Sequence, residues 1–436
     1  MKGVVLAGTA SGVGKTVATL ATIRGLRQAG HEVQPAKAGP DFVDPSHHAA
    51  VAGRPSRTLD VWLEGETGLR RNYYRGDGDV CVVEGVMGLY DGDVSSTAMV
   101  AETLDLPVVL VVDASAGMES VAATALGFRA YADRIGRDVD VVGVVAQRAH
   151  GGRHEDGIVD ALPDDLTYFG RIPPSSALEI PERHLGLHMG DERPLDPAVL
   201  DEAAESLRVE RLLAVASEPP RPADRQPRPA RDVRVAVARD EAFRFVYPAV
   251  VERLRSRADV VTFAPTAGDD LPDADAVYLP GGYPELHASR LADAPALTSL
   301  RRAAREGVPV FGECGGMMAL GERLTTLDGT THEMAGVLPL SVTMTDRYRA
   351  LDHVELRATG ATPLADRSER LRGHEFHYSA ADADADARFA FEVVRGSGID
   401  GSRDGCTEYR TIGTYAHLHA ASGAFDAFVD DIDPRQ

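Results

Sequence analysis

Along the first half of the chain, short runs of Val, Leu, Ile and Ala alternate with longer stretches in which apolar residues return every three or four positions. The runs are GVVLAG, EVQPAK, DVCVVEG, PVVLVVDAS and VDVVGVVAQR, and the helical patterns fall at residues 14–29 and 118–134. A strand that is apolar throughout, without alternation, is one buried on both faces, and such strands separated by helices make a parallel sheet. Sites in sheets of this kind gather at the carboxyl ends of the strands. Residues 216–232, ASEPPRPADRQPRPARD, show neither period, are rich in proline and charge, and read as a linker. Beyond them the alternation resumes with VRVAVARD, a helix over 241–256, ADVVTFAP, ADAVYLPGG, a helix over 296–306 and GVPVFGECGG. Fainter strands follow in AGVLPLSV, FAFEVVRG and TIGTYAH, and the acidic repeat ADADADARF reads as a solvated loop. The pattern predicts an α/β chain of two domains, 1–215 and 233–436, joined by the linker 216–232.

Bulk properties narrow the setting. The 436 residues suffice for two substantial cores, and no apolar run approaches the length of a membrane span. The formal charge of -21 works against binding a nucleic-acid backbone. Basic residues are nearly all arginine, with lysine only at positions 2, 15 and 37. An acid-rich, lysine-poor surface suits a salt-loving source, with stability expected to decline below molar salt. It also leaves Lys15 and Lys37 as lysines kept for a reason. Three scattered cysteines, Cys81, Cys314 and Cys406, make neither a disulfide framework nor a zinc cluster, and a reducing, cytoplasmic setting is expected.

Residues Gly8 to Thr16 read GTASGVGKT between a strand and a helix. Gly12 and Gly14 free the backbone N–H groups to face a phosphate, the helix N-terminus adds its field, Lys15 neutralises charge, and Thr16 offers a hydroxyl to magnesium. The first glycine stands one position earlier than in the common P-loop spacing. Hard oxygen ligands for Mg²⁺ are expected nearby, and Asp41 and Asp44 in AGPDFVDP and Glu84 at the end of CVVE supply them. The pattern points to ATP-dependent phosphoryl chemistry. Asp113, ending LVVD, is a structural or nucleotide-sensing acid.

A second chemistry stands in FGECGGMMAL, where a strand turns at Cys314 into the next helix. Helix field and nearby N–H groups at such a turn are expected to lower the thiol pKa. The N–H groups of Gly315 and of Gly282, in the loop LPGGYPE, are candidate oxyanion donors for acyl transfer through a thioester. The required base lies in TYAHLHA, where alternation puts His417 and His419 on one side and does not choose between them. Cys81 reads as a core thiol.

With these motifs in hand, the chain resembles the cobyrinate a,c-diamide synthases of corrin biosynthesis, through AGTASGVGKT, KAGPDFVDP, VEGVMGLYDG, PERHLGL, LPGGYPE, FGECGGMMAL, RGHEFHYS and TYAHLH. The resemblance implies an N-terminal P-loop, dethiobiotin-synthetase-like ATP domain and a C-terminal class I glutamine-amidotransferase-like domain. It implies that Cys314 attacks the glutamine side-chain amide with His417 as acid/base partner. Lys15, Thr16, Lys37, Asp41, Asp44 and Glu84 match phosphate or magnesium positions. ATP would activate tetrapyrrole carboxylates as acyl phosphates and ammonia from glutamine would displace phosphate. Cobyrinate is the preferred substrate; a nickel-sirohydrochlorin or hydrogenobyrinate synthase is the near alternative, and a nucleotide-switched metallocentre-assembly scaffold the distant one. A homodimer is compatible with the sequence. Two departures stand out: His419 replaces the glutamate that many class I amidotransferases carry two residues after the histidine, and Gln147 replaces an asparagine before arginine. Arg183 in PERHLG is a candidate for the substrate rim.

Overall fold

The computed structural model describes residues 1–180, 182–183, 186–192, 194–223 and 226–432, with the side chains of 182, 183, 186 and 187 outside the description. The Arg183 side chain proposed for the substrate rim therefore lies outside the described residues. The chain divides into two compact units, Met1–Asp224 and Arg225–Gln436. Ser217, within the proline-rich stretch, exchanges backbone hydrogen bonds with Gly3 of the first strand.

The first unit is built on seven parallel strands: β1 (Lys2–Gly8), β2 (Val33–Ala38), β3 (Arg57–Leu59), β4 (Val80–Glu84), β5 (Val108–Asp113), β6 (Val141–Gln147) and β7 (Thr167–Ile172), in the order β3-β2-β4-β1-β5-β6-β7. Successive residues of one strand enter different cores. Val5 and Val83 pack into one apolar cluster, while Val4, Leu6 and Val82 pack into the other. Each buried Val or Leu is worth about 1.5–3 kcal/mol of transfer free energy, which is why these strands carry no polar alternation. The helix Lys15–Gln28 follows β1 and buries Val17, Leu20 and Ile23 in the second cluster. Register places Lys37 of β2 beside Glu84 of β4, and Leu6 of β1 on its other side. The carboxyl ends of three central strands thus meet at one edge.

The second unit has a ten-stranded mixed sheet: β8 (Arg234–Ala238), β9 (Asp259–Phe263), β10 (Ala276–Leu279), β11 (Val310–Glu313), β12 (Ala350–Ala358), β13 (Arg370–His377), β14 (Arg388–Arg395), β15 (Arg403–Glu408), β16 (Thr411–Thr414) and β17 (His417–Leu418). Their order is β9-β8-β10-β11-β16-β15-β14-β12-β13-β17, parallel through β16 and antiparallel beyond.

Two expectations are corrected here. The helix expected over 241–256 is confined to Pro248–Arg255, because Pro248 is pre-shaped for a first helical position and cannot donate into an earlier turn. The acidic repeat is only partly a loop: Ser379–Ala383 pairs antiparallel with Leu340–Met344, with Asp382 exposed between Ala381 and Ala383, and residues 384–387 turn as expected.

Candidate functional site

In the first unit, the turn between β1 and the helix Lys15–Gln28 takes positive φ at Gly12 (77°) and Gly14 (92°), a conformation that a side chain would strain. Gly14 is also crowded, since a Cβ there would lie 2.5 Å from the Gln147 amide nitrogen. Lys15 folds back over the turn, its Nζ donating to Ala10 O at 3.1 Å, and burial lowers its pKa. Thr16 Oγ1 donates to Glu84 Oε1 at 2.9 Å. Lys37 Nζ reaches the same oxygen at 2.9 Å and Asp44 Oδ2 at 2.6 Å, and stands 3.8 Å from Asp41. Burial opposes its charge, but Asp44, Glu84 and Asp41 together outweigh that and raise its pKa. Burial also works against the charge of Asp44, yet the Lys37 ammonium holds that carboxyl below its usual range. Asp41 is driven the other way, by burial and by the neighbouring Asp44 charge.

Gly12, Gly14, Lys15, Thr16, Lys37, Asp41, Asp44 and Glu84 line one open cavity of roughly 1280 Å³, with Gln147, Arg148 and the apolar segment Pro173, Pro174, Leu178 and Ile180 on its wall. Asp113 stands apart, paired with Arg148 at 2.6 Å, which pulls its pKa down to about 2. Among the described residues no three His, Cys, Asp or Glu side chains form a closed metal cage. Mg²⁺ needs none: it usually takes one or two carboxylates and fills its octahedron with water and phosphate oxygens. Thr16 and Glu84, in contact with each other, could serve as such a partial donor set.

Sequence reasoning missed His48. Its ring is fully buried, with Nε2 2.6 Å from Glu84 Oε2 and Nδ1 3.0 Å from Ser56 Oγ. Glu84 is thus held from both oxygens. The only signal in the sequence is its place on the helix after Asp44, four residues on and so on the same face.

In the second unit, Cys314 joins β11 to the helix Gly315–Leu320 with φ 44° and ψ −102°. A non-glycine residue there costs on the order of 1–3 kcal/mol. The turn is clamped by Cys314 N–H donating to Thr414 O at 2.6 Å. The glycines permit close approach: a Cβ on Gly315 would begin 2.9 Å from Gly282 N, one on Gly316 2.0 Å from Leu279 O, and one on Gly281 2.1 Å from His417 Cε1. The loop after β10 is thereby pressed between the nucleophile turn, through Gly282, and His417, through Gly281.

His417 is buried and stacks on His374, its register partner on β13, with centroids 5.1 Å apart. Burial, and secondarily His377, lowers its pKa to about 3. His374 accepts or donates at Nδ1 with the Tyr247 hydroxyl, 2.6 Å away. His419 is also buried, but its Nδ1 accepts from Ala421 N at 3.3 Å and caps a short helical turn. His377 stacks on Tyr415 at 3.7 Å.

The expected lowering of the thiol pKa is reversed. Burial, followed by Glu285, pushes the Cys314 thiol well up, and the Gly315 N–H beside it only partly compensates. A helix of six residues cannot offset desolvation of a thiolate this deeply buried with Glu285 and Glu313 nearby. Burial thus disfavours charge on both the Cys314 thiol and the His417 imidazole. Cys81 is buried in the sheet, as a core thiol would be.

Comparison with known proteins follows the same division. Residues 4–187 match the model of the CobQ/CobB/MinD/ParA nucleotide binding domain, and residues 234–425 that of the CobB/CobQ-like glutamine amidotransferase domain. The chain is 68% identical over 430 residues to the cobyrinate a,c-diamide synthase of Halobacterium salinarum, covering 99% of this chain and 98% of the relative. It is 66% identical over 430 residues to that of Haloarcula marismortui, covering 98% of each. It is 38% identical over 441 residues to the hydrogenobyrinate a,c-diamide synthase of Brucella ovis, covering 97% of this chain and 99% of the relative.

Proposed function

The chain belongs to the cobyrinate a,c-diamide synthase family, and from that premise we propose how its residues divide the work of a glutamine-hydrolysing, ATP-dependent ligase. Its reaction is the amidation of the a and c side-chain carboxylates of cobyrinate. A carboxylate is a poor electrophile, so one oxygen must first become a leaving group. In the first unit the N–H groups around Gly12 and Gly14, with Lys15 and Lys37, hold the ATP phosphates while a substrate carboxylate attacks the γ-phosphorus, forming an acyl phosphate and releasing ADP. Thr16 and Glu84, with Asp41 and Asp44 beside them, would hold nucleotide-borne Mg²⁺, which supplies neutralisation of phosphate charge. His48 keeps the Glu84 carboxylate oriented.

In the second unit the Cys314 sulfur adds to the side-chain carbonyl of glutamine while His417 takes the thiol proton. The N–H groups of Gly282 and Gly315 receive the developing oxyanion. His417 then returns the proton to the departing nitrogen, ammonia leaves, and water releases glutamate from the thioester. Because burial disfavours the thiolate and the imidazolium alike, the thiol proton passes to His417 as the carbon–sulfur bond forms. Ammonia that stays unprotonated adds to the acyl phosphate, phosphate leaves, and an amide remains.

The observation that carries this reading is one chain holding both a strained, buried cysteine, its turn linked through the Gly281–Gly282 loop to a buried histidine, and a glycine-rich turn whose Lys15 lines one cavity with Lys37, Asp41, Asp44 and Glu84. Its test is a pair of variants. Cys314→Ser should abolish product made from glutamine and leave synthesis from ammonium salts; Lys15→Ala should reduce both by at least about 100-fold. Glutamine-dependent product from C314S would refute the assignment.

A further inference from the structure

Glu313, the residue before Cys314, has no part in the mechanism above, yet it is only 2% exposed. Both of its oxygens are engaged. Oε1 accepts from the Leu418 N–H at 2.8 Å, and Oε2 from the Tyr278 hydroxyl at 2.6 Å. Leu418 follows His417 on β17, a strand of two residues at the edge of the sheet that pairs with β13. Glu313 ends β11, which is no neighbour of β17 in the sheet. The carboxyl group therefore bridges two strands that share no ladder, one ending in the nucleophile and the other carrying the base.

We propose that Glu313 is the positioning residue of the glutaminase centre: by accepting the Leu418 N–H it locks the His417 strand to the Cys314 strand. The inference rests on the reading of Cys314 and His417 given above. It also accounts for a departure in the sequence. A carboxylate two residues after the histidine would steady the imidazole directly; here that place is His419, whose Nδ1 is turned to Ala421 N. Glu313 steadies the backbone beside the imidazole instead, while His374 stacks on the ring. Burial raises the Glu313 pKa to about 8, against the pull of the Tyr278 hydroxyl and the Leu418 N–H. Accepting the Leu418 N–H takes a single oxygen, which an amide keeps, so Gln should replace the acid.

The test compares wild type, Glu313→Ala, Glu313→Gln and Cys314→Ser as full-length enzymes, with glutaminase kcat and KM measured beside ammonium-dependent synthesis. Glu313→Ala should lower glutaminase kcat by about 10- to 100-fold, the scale of losing a fixed attack geometry, with KM within about twofold and ammonium-dependent synthesis unchanged. Glu313→Gln should restore kcat to within about threefold of wild type. Wild-type kcat in E313A, an equal fall in ammonium-dependent synthesis, or an E313Q as impaired as E313A would each overturn the proposal. Should E313A fail to fold, Glu313→Asp withdraws the same oxygen: a fall in kcat at constant KM supports the proposal and an unchanged kcat overturns it. Glutaminase activity in C314S would strike the underlying reading, whereas an inert C314S beside an unaffected E313A would strike this inference alone.

Discussion

Cys314 is subject to two opposed demands. A nucleophile needs to lose its proton, and burial with the charges of Glu285 and Glu313 nearby makes that loss unfavourable. The sequence displays the first demand, a cysteine at a glycine-rich turn, but not the second, because desolvation depends on what packs over the thiol. Alternation alone does not separate His417 from His419, and the choice of His417 comes from the resemblance; in the fold His419 is turned into a cap while His417 lies against Gly281. The same dryness governs His377, whose pKa burial lowers from 6.5 to about 4. Such a group binds fewer protons folded than unfolded between those values, so its contribution to stability is complete above pH 6.5 and is lost as pH falls through 4. His377→Gln should therefore weaken the fall in melting temperature between pH 7 and pH 5 at fixed salt. An unchanged slope in thermal melts would show that the residue titrates normally in the folded chain.

At the scale of elements, central parallel strands such as β1, β4 and β5 were legible because a strand buried on both faces is apolar along nearly its whole length. The three-residue β3 is too short to show a period, and β7, TYFGRI, carries a glycine and an arginine in its middle. The strand Ser379–Ala383, which runs into the acidic repeat, has no large apolar residue and so reads as loop by composition. Loops were legible where they carried glycine, and the reason is steric. Gly281 is required because a methyl group there would meet the imidazole of His417 at 2.1 Å. Gly281→Ala should cost about 1–3 kcal/mol of stability through overpacking and lower glutaminase kcat by more than about tenfold, with ammonium-dependent synthesis retained. Wild-type glutaminase kinetics in G281A would mean that His417 does not need its present place.

For the whole molecule, sequence sufficed to separate an ATP-using half from a thiol half, since each carries a motif whose residues are close together in the chain. Contacts between distant segments were hidden: His48 with Glu84, and Glu313 with Leu418. The net charge of -21 and the near absence of lysine mark a halophilic protein, in keeping with relatives from Halobacterium salinarum and Haloarcula marismortui. At such a surface Lys15 and Lys37 are buried against an acidic cluster, out of reach of the selection acting on exposed positions. The central claim is that nitrogen freed at Cys314 ends on carboxylates activated by ATP. The most direct measurement is the mass of the tetrapyrrole product made from cobyrinate, ATP and glutamine labelled with ¹⁵N in its side-chain amide, in the presence of excess unlabelled ammonium at a pH where that ammonium alone reacts slowly. Both new amide groups should carry the label and none should appear without ATP; a product that takes its nitrogen from the solution, or that forms without nucleotide, would contradict the account.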